Sequence, residues 1–154
     1  MFKLYYKSPM CYLSLHSDGK FLIKLDFCEE KEEVKERSCE LLEFAKKELE
    51  LYFLGKLQKF KTPLKFQGSE FEQKVYRALI EIPYGKVASY KQISEKIGHK
   101  NAFRAVGNAN SKNELPIFIP CHRVVASKGL GGYSGGLEIK KFLLKLEGVD
   151  LNQF

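Results

Sequence analysis

Residues 89–123 read SYKQISEKIGHKNAFRAVGNANSKNELPIFIPCHR, and the punctuation of this stretch decides the fold around it. Ser89 stands three residues before Gln92, a capping box that opens a helix over residues 90–97, and Gly98 stops it. NAFRAVGNAN then predicts a second helix over 101–110. Helix, short glycine-bearing break, helix is the spacing of a helix-turn-helix. LPIFIP, an apolar segment bounded by prolines, is expected to run extended into CHRVV.

Upstream, Ser69 and Glu72 form another capping box, and Phe71, Val75, Leu79 and Ile82 line one face of the helix it opens. Downstream, the glycine-dense loop GLGGYSGG (129–136) precedes a last helix with Ile139, Phe142, Leu143 and Leu146 as its apolar face. Residues 56–68, KLQKFKTPLKFQG, read as a linker. Before them, residues 2–15 and 20–27 read as two strands turning at Ser17-Asp18-Gly19. Residues 29–54 carry Val34, Leu41, Leu42, Ala45, Leu49 and Phe53 at helical spacing, with Gly55 as the stop. The expected class is mixed α/β (α+β). A supporting N-terminal subdomain with antiparallel strands and its linker takes residues 1–68, and a mainly helical domain bearing the helix-turn-helix takes 69–154.

A chain of 154 residues can hold one substantial core or two small ones, and 44% apolar with 13% aromatic content is that of a globular protein. No apolar run reaches bilayer length, and MFKLYYKSPM lacks the apolar core of a signal peptide. An intracellular protein is expected, in the cytoplasm or in a eukaryotic nucleus, with no membrane partner. Cys11, Cys28, Cys39 and Cys121 form no CxxC pair, so free thiols are expected and a zinc site is not.

The net charge is +7, and its distribution is uneven. Between Pro83 and Gly136 lie Lys86, Lys91, Lys96, Lys100, Arg104, Lys112, Arg123 and Lys128, opposed only by Glu95 and Glu114. Such an excess suits a solvated face or a polyanionic partner.

Cys121 lies between Pro120 and His122, with Arg123 next. Thiols react as thiolates, neighbouring cations favour that form, and imidazole can take the proton. Taken alone, a cysteine in an apolar segment is more often simply a buried core residue, and that reading is preferred on IPCHRV by itself.

IPCHRVV, preceded by RAVGNAN and followed by GGYSGG, resembles the active-site region of the O6-alkylguanine-DNA alkyltransferases, from about Phe71 to Glu147. The first 68 residues match that family only in size and position. The resemblance implies irreversible transfer of an alkyl group from O6 of guanine to Cys121, after the base is flipped out through the minor groove of double-stranded DNA. It implies that His122 takes the thiol proton through a water and that Glu147 orients the imidazole. Tyr90 would bond the guanine ring, and the backbone N–H of Ser134, beside Tyr133 in the loop lining the base site, would reach the departing oxygen. The carbonyls of Cys121 and Val124 would bind the exocyclic amine, with Lys140 assisting. Asn113 would tie the helix-turn-helix to the acceptor segment, although Glu114 follows it where relatives commonly have proline. Arg104 would fill the vacated stack. Ala102, Ala105, Gly107 and Ala109 would let the helix enter the groove, with Ser89 and Arg123 as further DNA contacts. No metal or organic cofactor is implied, and a monomer is expected.

Three other readings compete. A damage sensor on this scaffold would lack the reactive cysteine that Cys121 supplies. A regulator reading the major groove would need larger polar side chains than this Ala/Gly-rich helix offers. A cysteine hydrolase would use Cys-His but leave the basic helix pair without a role.

Overall fold

The chain opens with three antiparallel strands where the apolar pattern predicts two: β1 (Phe2–Lys7), β2 (Tyr12–Ser17) and β3 (Leu22–Cys28), in that spatial order. The missed turn is built by Ser8. Its Oγ accepts from the N–H of Met10 (3.2 Å) and of Cys11 (3.1 Å) and donates to the Cys11 carbonyl at 2.6 Å. At the second turn Asp18 Oδ1 accepts from the N–H groups of Lys20 and Phe21, both at 2.9 Å. The resulting register lines Leu4, Leu15 and Leu25 across the sheet, and all three are buried.

The computed structural model describes residues 1–31 and 35–154, and these divide into two units, Met1–Phe66 and Gln67–Phe154. In the first unit the helix expected from residue 29 begins only at α1 (Glu40–Phe53). Just before it, Arg37 is extended, exchanging backbone bonds with Lys3 at 2.8 and 3.0 Å. Val34, placed on that helix by the sequence pattern, lies outside the described residues. Leu42, Ala45, Leu49 and Tyr52 form the fully buried face of α1. Part of the expected linker belongs to this unit, since the N–H of Leu22 bonds the Pro63 carbonyl and the N–H of Lys65 bonds the Leu22 carbonyl. Buried Glu48 secures the same segment, accepting from the N–H of Lys61 and from the N–H and hydroxyl of Thr62.

The second unit packs α2 (Glu70–Ile80) against two shorter helices, α3 (Tyr90–Lys96) and α4 (Phe103–Ser111). Both predicted capping boxes are present, at Ser69–Glu72 and Ser89–Gln92. Gly98 (φ 79°) and Asn101 (φ 69°) adopt the left-handed conformation between α3 and α4. Two-residue strands β4 (Ala88–Ser89) and β5 (Val124–Val125) pair in parallel, setting the segment after Cys121 beside the start of α3.

LPIFIP is not extended. The Ile119 N–H bonds the Leu115 carbonyl at 2.8 Å, the Cys121 N–H bonds the Ile119 carbonyl at 2.7 Å, and Ile117 sits at φ 75°. This knot is buried throughout, and Cys121–Arg123 leave it in a single 3-10 turn. Helix α5 (Leu137–Leu146) follows the glycine-rich loop. Its buried face is Lys140, Leu143 and Leu144, whereas Phe142 from the expected apolar stripe is exposed. No described helix is long and apolar enough to cross a membrane.

Candidate active site

Cys121 is 1% exposed, held where the Leu115–Pro120 knot meets the 3-10 turn. Its neighbour His122 is fully buried and presents Nε2 to Glu147 Oε2 at 2.7 Å. Glu147 caps the C-terminus of α5, so two distant segments supply the pair. A carboxylate held there must be saturated, because an unpaired buried charge is strongly disfavoured. Arg123 supplies most of the answer. Its Nε donates to Glu147 Oε1 at 2.8 Å and a terminal nitrogen donates to Oε2 at 3.1 Å, while the Gly85 N–H bonds Oε1 at 3.1 Å. The other end of the guanidinium bonds the Ile82 carbonyl at 2.7 Å.

Arg123 is therefore not on a DNA-facing surface. It is buried because its charge is consumed by Glu147. Burial opposes ionisation of Glu147, but the bonds and charges of His122 and Arg123 prevail and hold the carboxyl well below the usual range. For His122 burial wins over Glu147 and lowers its pKa, so the imidazole is neutral at neutral pH. With Nε2–H given to the carboxylate, Nδ1 is left as an acceptor, and it is buried without a partner among the described residues.

The thiol departs from the sequence expectation. Burial pushes Cys121 up to about 11, against lowering by the Asn113 amide, the Lys140 charge and the Tyr133 hydroxyl. The adjacent cations do not create a resting thiolate, since Arg123 is spent on Glu147 and His122 is neutral. A thiol held this way reacts as a nucleophile only where a base takes its proton.

Around the sulfur, Asn113 donates to the Ile119 carbonyl and accepts from the Leu115 N–H, both at 2.9 Å, which pins the knot. Lys140 is fully buried, and its ammonium donates to the carbonyls of Val124 (2.6 Å), Leu130 (2.5 Å) and Gly132 (3.1 Å). One lone pair of the Val124 oxygen is thus already engaged. Burial lowers Lys140 to about 8. The ammonium ties the glycine-rich loop to the strand after Cys121.

Tyr90, at the start of α3, reaches the same loop. A Cβ at Gly131 would lie 2.9 Å from its hydroxyl oxygen and 3.0 Å from its ring, and Gly131 has φ 74°. Only glycine fits on both counts. Gly107 of α4 approaches the Tyr90 ring from the helix side, where a Cβ would sit 3.8 Å away. Ser134 is exposed in the loop. Ser89 uses its hydroxyl to cap α3.

On α4, Arg104 and Ala105 are exposed and Ala102 is half-buried. Ala109 is 2% exposed and belongs to the core, where the Tyr76 hydroxyl bonds its carbonyl. It is therefore not on a groove-facing surface. Lys86, Lys91, Lys96, Lys100, Lys112 and Lys128 are exposed as well, which leaves the positive charge of this unit on its surface apart from Arg123 and Lys140. Among the described residues no cluster of His, Cys, Asp or Glu could hold a metal ion.

Sequence reasoning missed the Arg123–Glu147 clamp, the Gly85 contribution and Asn110, whose amide donates to the Cys121 carbonyl at 3.4 Å. The signal available for the clamp was the poverty of acidic residues near Arg123, which leaves a distant carboxylate as its partner.

Residues 70–149 match the model of the 6-O-methylguanine DNA methyltransferase, DNA binding domain, and residues 1–66 match the ribonuclease-like domain of the same protein type. A methylated-DNA–protein-cysteine methyltransferase of Saccharolobus islandicus is 43% identical over 146 residues, 95% of each chain. One from Methanosarcina barkeri is 44% identical over 147 residues, 92% of this chain and 93% of its own. Mycobacterium tuberculosis OGT, solved in complex with DNA, superposes with a TM-score of 0.88 at 37% identity, covering 96% of this chain and 93% of that one. With both halves of the chain matched and relatives aligned along nearly its whole length, this protein belongs to the 6-O-methylguanine DNA methyltransferase family.

Proposed function

We propose that this protein repairs double-stranded DNA by moving the alkyl group of an O6-alkylguanine onto Cys121, once per molecule. The observation that carries the reading is the buried relay on the residue that follows Cys121: Glu147 on His122 Nε2 at 2.7 Å, with His122 Nδ1 left as an acceptor. His122 takes the thiol proton through a water. The sulfur lone pair then forms an S–C bond at the alkyl carbon, and the C–O bond breaks with its electrons going to guanine O6. The proton given up by the thiol returns to the base, leaving an ordinary guanine. Displacement at an sp3 carbon forms no tetrahedral oxyanion, so the leaving oxygen is the atom that needs donors. The Ser134 N–H serves it and the Tyr90 hydroxyl bonds the ring, while the carbonyls of Cys121 and Val124 accept the exocyclic amine. The electrons and atoms balance with protein and DNA alone. A thioether has no good leaving group, so the thiol does not return.

The target carbon lies inside a duplex and must be brought out. The α3–α4 pair acts as the helix-turn-helix. Arg104 and Ala105 lie on the exposed side of α4, so the guanidinium enters the stack while small side chains allow close approach in the minor groove. Ala102, Gly107 and Ser89 border that surface, and the exposed lysines contact phosphates. The first unit supports this domain, and the protein acts as a monomer.

Intact-mass measurement after incubation with O6-methylguanine duplex tests the reading. One added methyl is expected in the wild type and none in Cys121→Ala. Binding without mass change would make the protein a sensor and overturn the proposal.

A further inference from the structure

Asn113 and Asn110 lie one turn apart at the end of α4, both buried, yet they are satisfied unequally. Asn113 uses both ends of its amide inside the knot. Asn110, 6% exposed, uses only one: Nδ2 donates to the Cys121 carbonyl at 3.4 Å, while Oδ1 is buried with no donor among the described residues. A buried acceptor without a donor destabilises a fold, and an apolar side chain of the same size would pack there without that loss. The single bond Asn110 makes is to the backbone of the acceptor residue itself.

We propose that Asn110 is a positioning residue for recognition of the purine 2-amino group. The Val124 N–H already points at the Cys121 carbonyl to close the 3-10 turn, and the Asn110 bond adds a second, side-chain constraint on the direction in which that oxygen faces the base. The inference rests on the proposed function, in which that carbonyl accepts the exocyclic amine. It assigns discrimination to a side chain that does not touch the substrate and is carried on α4, the helix that bears Arg104.

The test compares single-turnover transfer from duplexes containing O6-methylguanine and O6-methylhypoxanthine, which lacks only the 2-amino group, each placed opposite cytosine. Asn110→Leu should slow transfer from methylguanine but barely alter transfer from methylhypoxanthine. Loss of one oriented neutral hydrogen bond should lower the ratio of the two rates by roughly ten-fold. Its melting temperature should stay level or rise, because the orphaned oxygen is gone. Asn110→Ala, which cannot clash, should lower the ratio equally. Wild-type transfer with an unchanged ratio in both variants would overturn the inference alone. Absence of any wild-type transfer would overturn the function beneath it as well.

Discussion

Two glutamates, one in each unit, are equally buried at 5% exposure and do different things. Glu48, in α1, is saturated by the backbone and hydroxyl of residues 61–62, all uncharged donors that cannot pass a proton onward. Glu147 is saturated by an arginine, a backbone N–H and the imidazole next to Cys121. The first carboxylate fastens a loop. In the proposed reaction the second transmits its charge to the base that serves Cys121, so burial alone does not distinguish a structural carboxylate from a reactive one. The identity of the donors does.

The largest contrast is expected from the same substitution at both sites. Glu147→Gln should slow transfer on the order of 10³-fold by releasing the imidazole. It should also cost about 3–5 kcal/mol of stability by stranding Arg123. Glu48→Gln should cost about 1–3 kcal/mol and leave the transfer rate of the folded protein unchanged. Single-turnover rates and chemical denaturation measure both, and equal rate losses would erase the distinction.

His122→Gln sharpens it next, with an expected loss at neutral pH of roughly 10²–10⁴-fold. The wild-type rate should stay level from neutral pH to below 6.5, because the pKa of His122 is lowered and its base form persists there. Without the imidazole the thiol must ionise unaided. The variant's rate should then climb roughly ten-fold per pH unit toward a thiol value of about 11. A pH profile identical to wild type would remove His122 as the base.

Arg104→Ala moves the contrast to the surface. Transfer from duplex DNA should fall roughly ten- to a hundred-fold if the guanidinium supports the opened stack. Reaction with a free O6-alkylguanine base should fall much less, and equal losses would take the finger role from Arg104.

The smallest effect is on acid stability. The Glu147 carboxyl ionises at lower pH in the folded chain than its ordinary 4.5, so the unfolded chain takes up its proton first as pH falls. Its contribution is complete above about pH 4.5 and fades below it. Glu147→Gln should flatten the acid limb of the stability curve relative to wild type.

What the sequence made legible was local chemistry. Ser69 with Glu72 and Ser89 with Gln92 announce their helices because a cap is decided within four residues. PCHRV and YSGG announced the acceptor region by resemblance. What it hid was decided across distance. Arg123 reads as a surface cation until Glu147, from the far end of α5, is seen to consume it. Lys140 is given by resemblance only an assisting role, and the three carbonyls from two other segments that surround it are not legible there. The left-handed Ile117 breaks a strand pattern that no local rule would interrupt, since a β-branched residue at positive φ persists only where surrounding packing imposes it. The Ser8 turn, by contrast, was readable in Ser8-Pro9 and was overridden by the apolar run on both sides.

The measurement that bears most directly on the central claim is stoichiometry. Increasing amounts of duplex bearing O6-methylguanine are added to a fixed amount of protein, and restored guanine is counted against methyl found on Cys121 by peptide mapping. Both should rise together and stop at one per protein molecule, however long the incubation. Repair continuing past that point, or a plateau with Cys121 still a free thiol, would contradict the account.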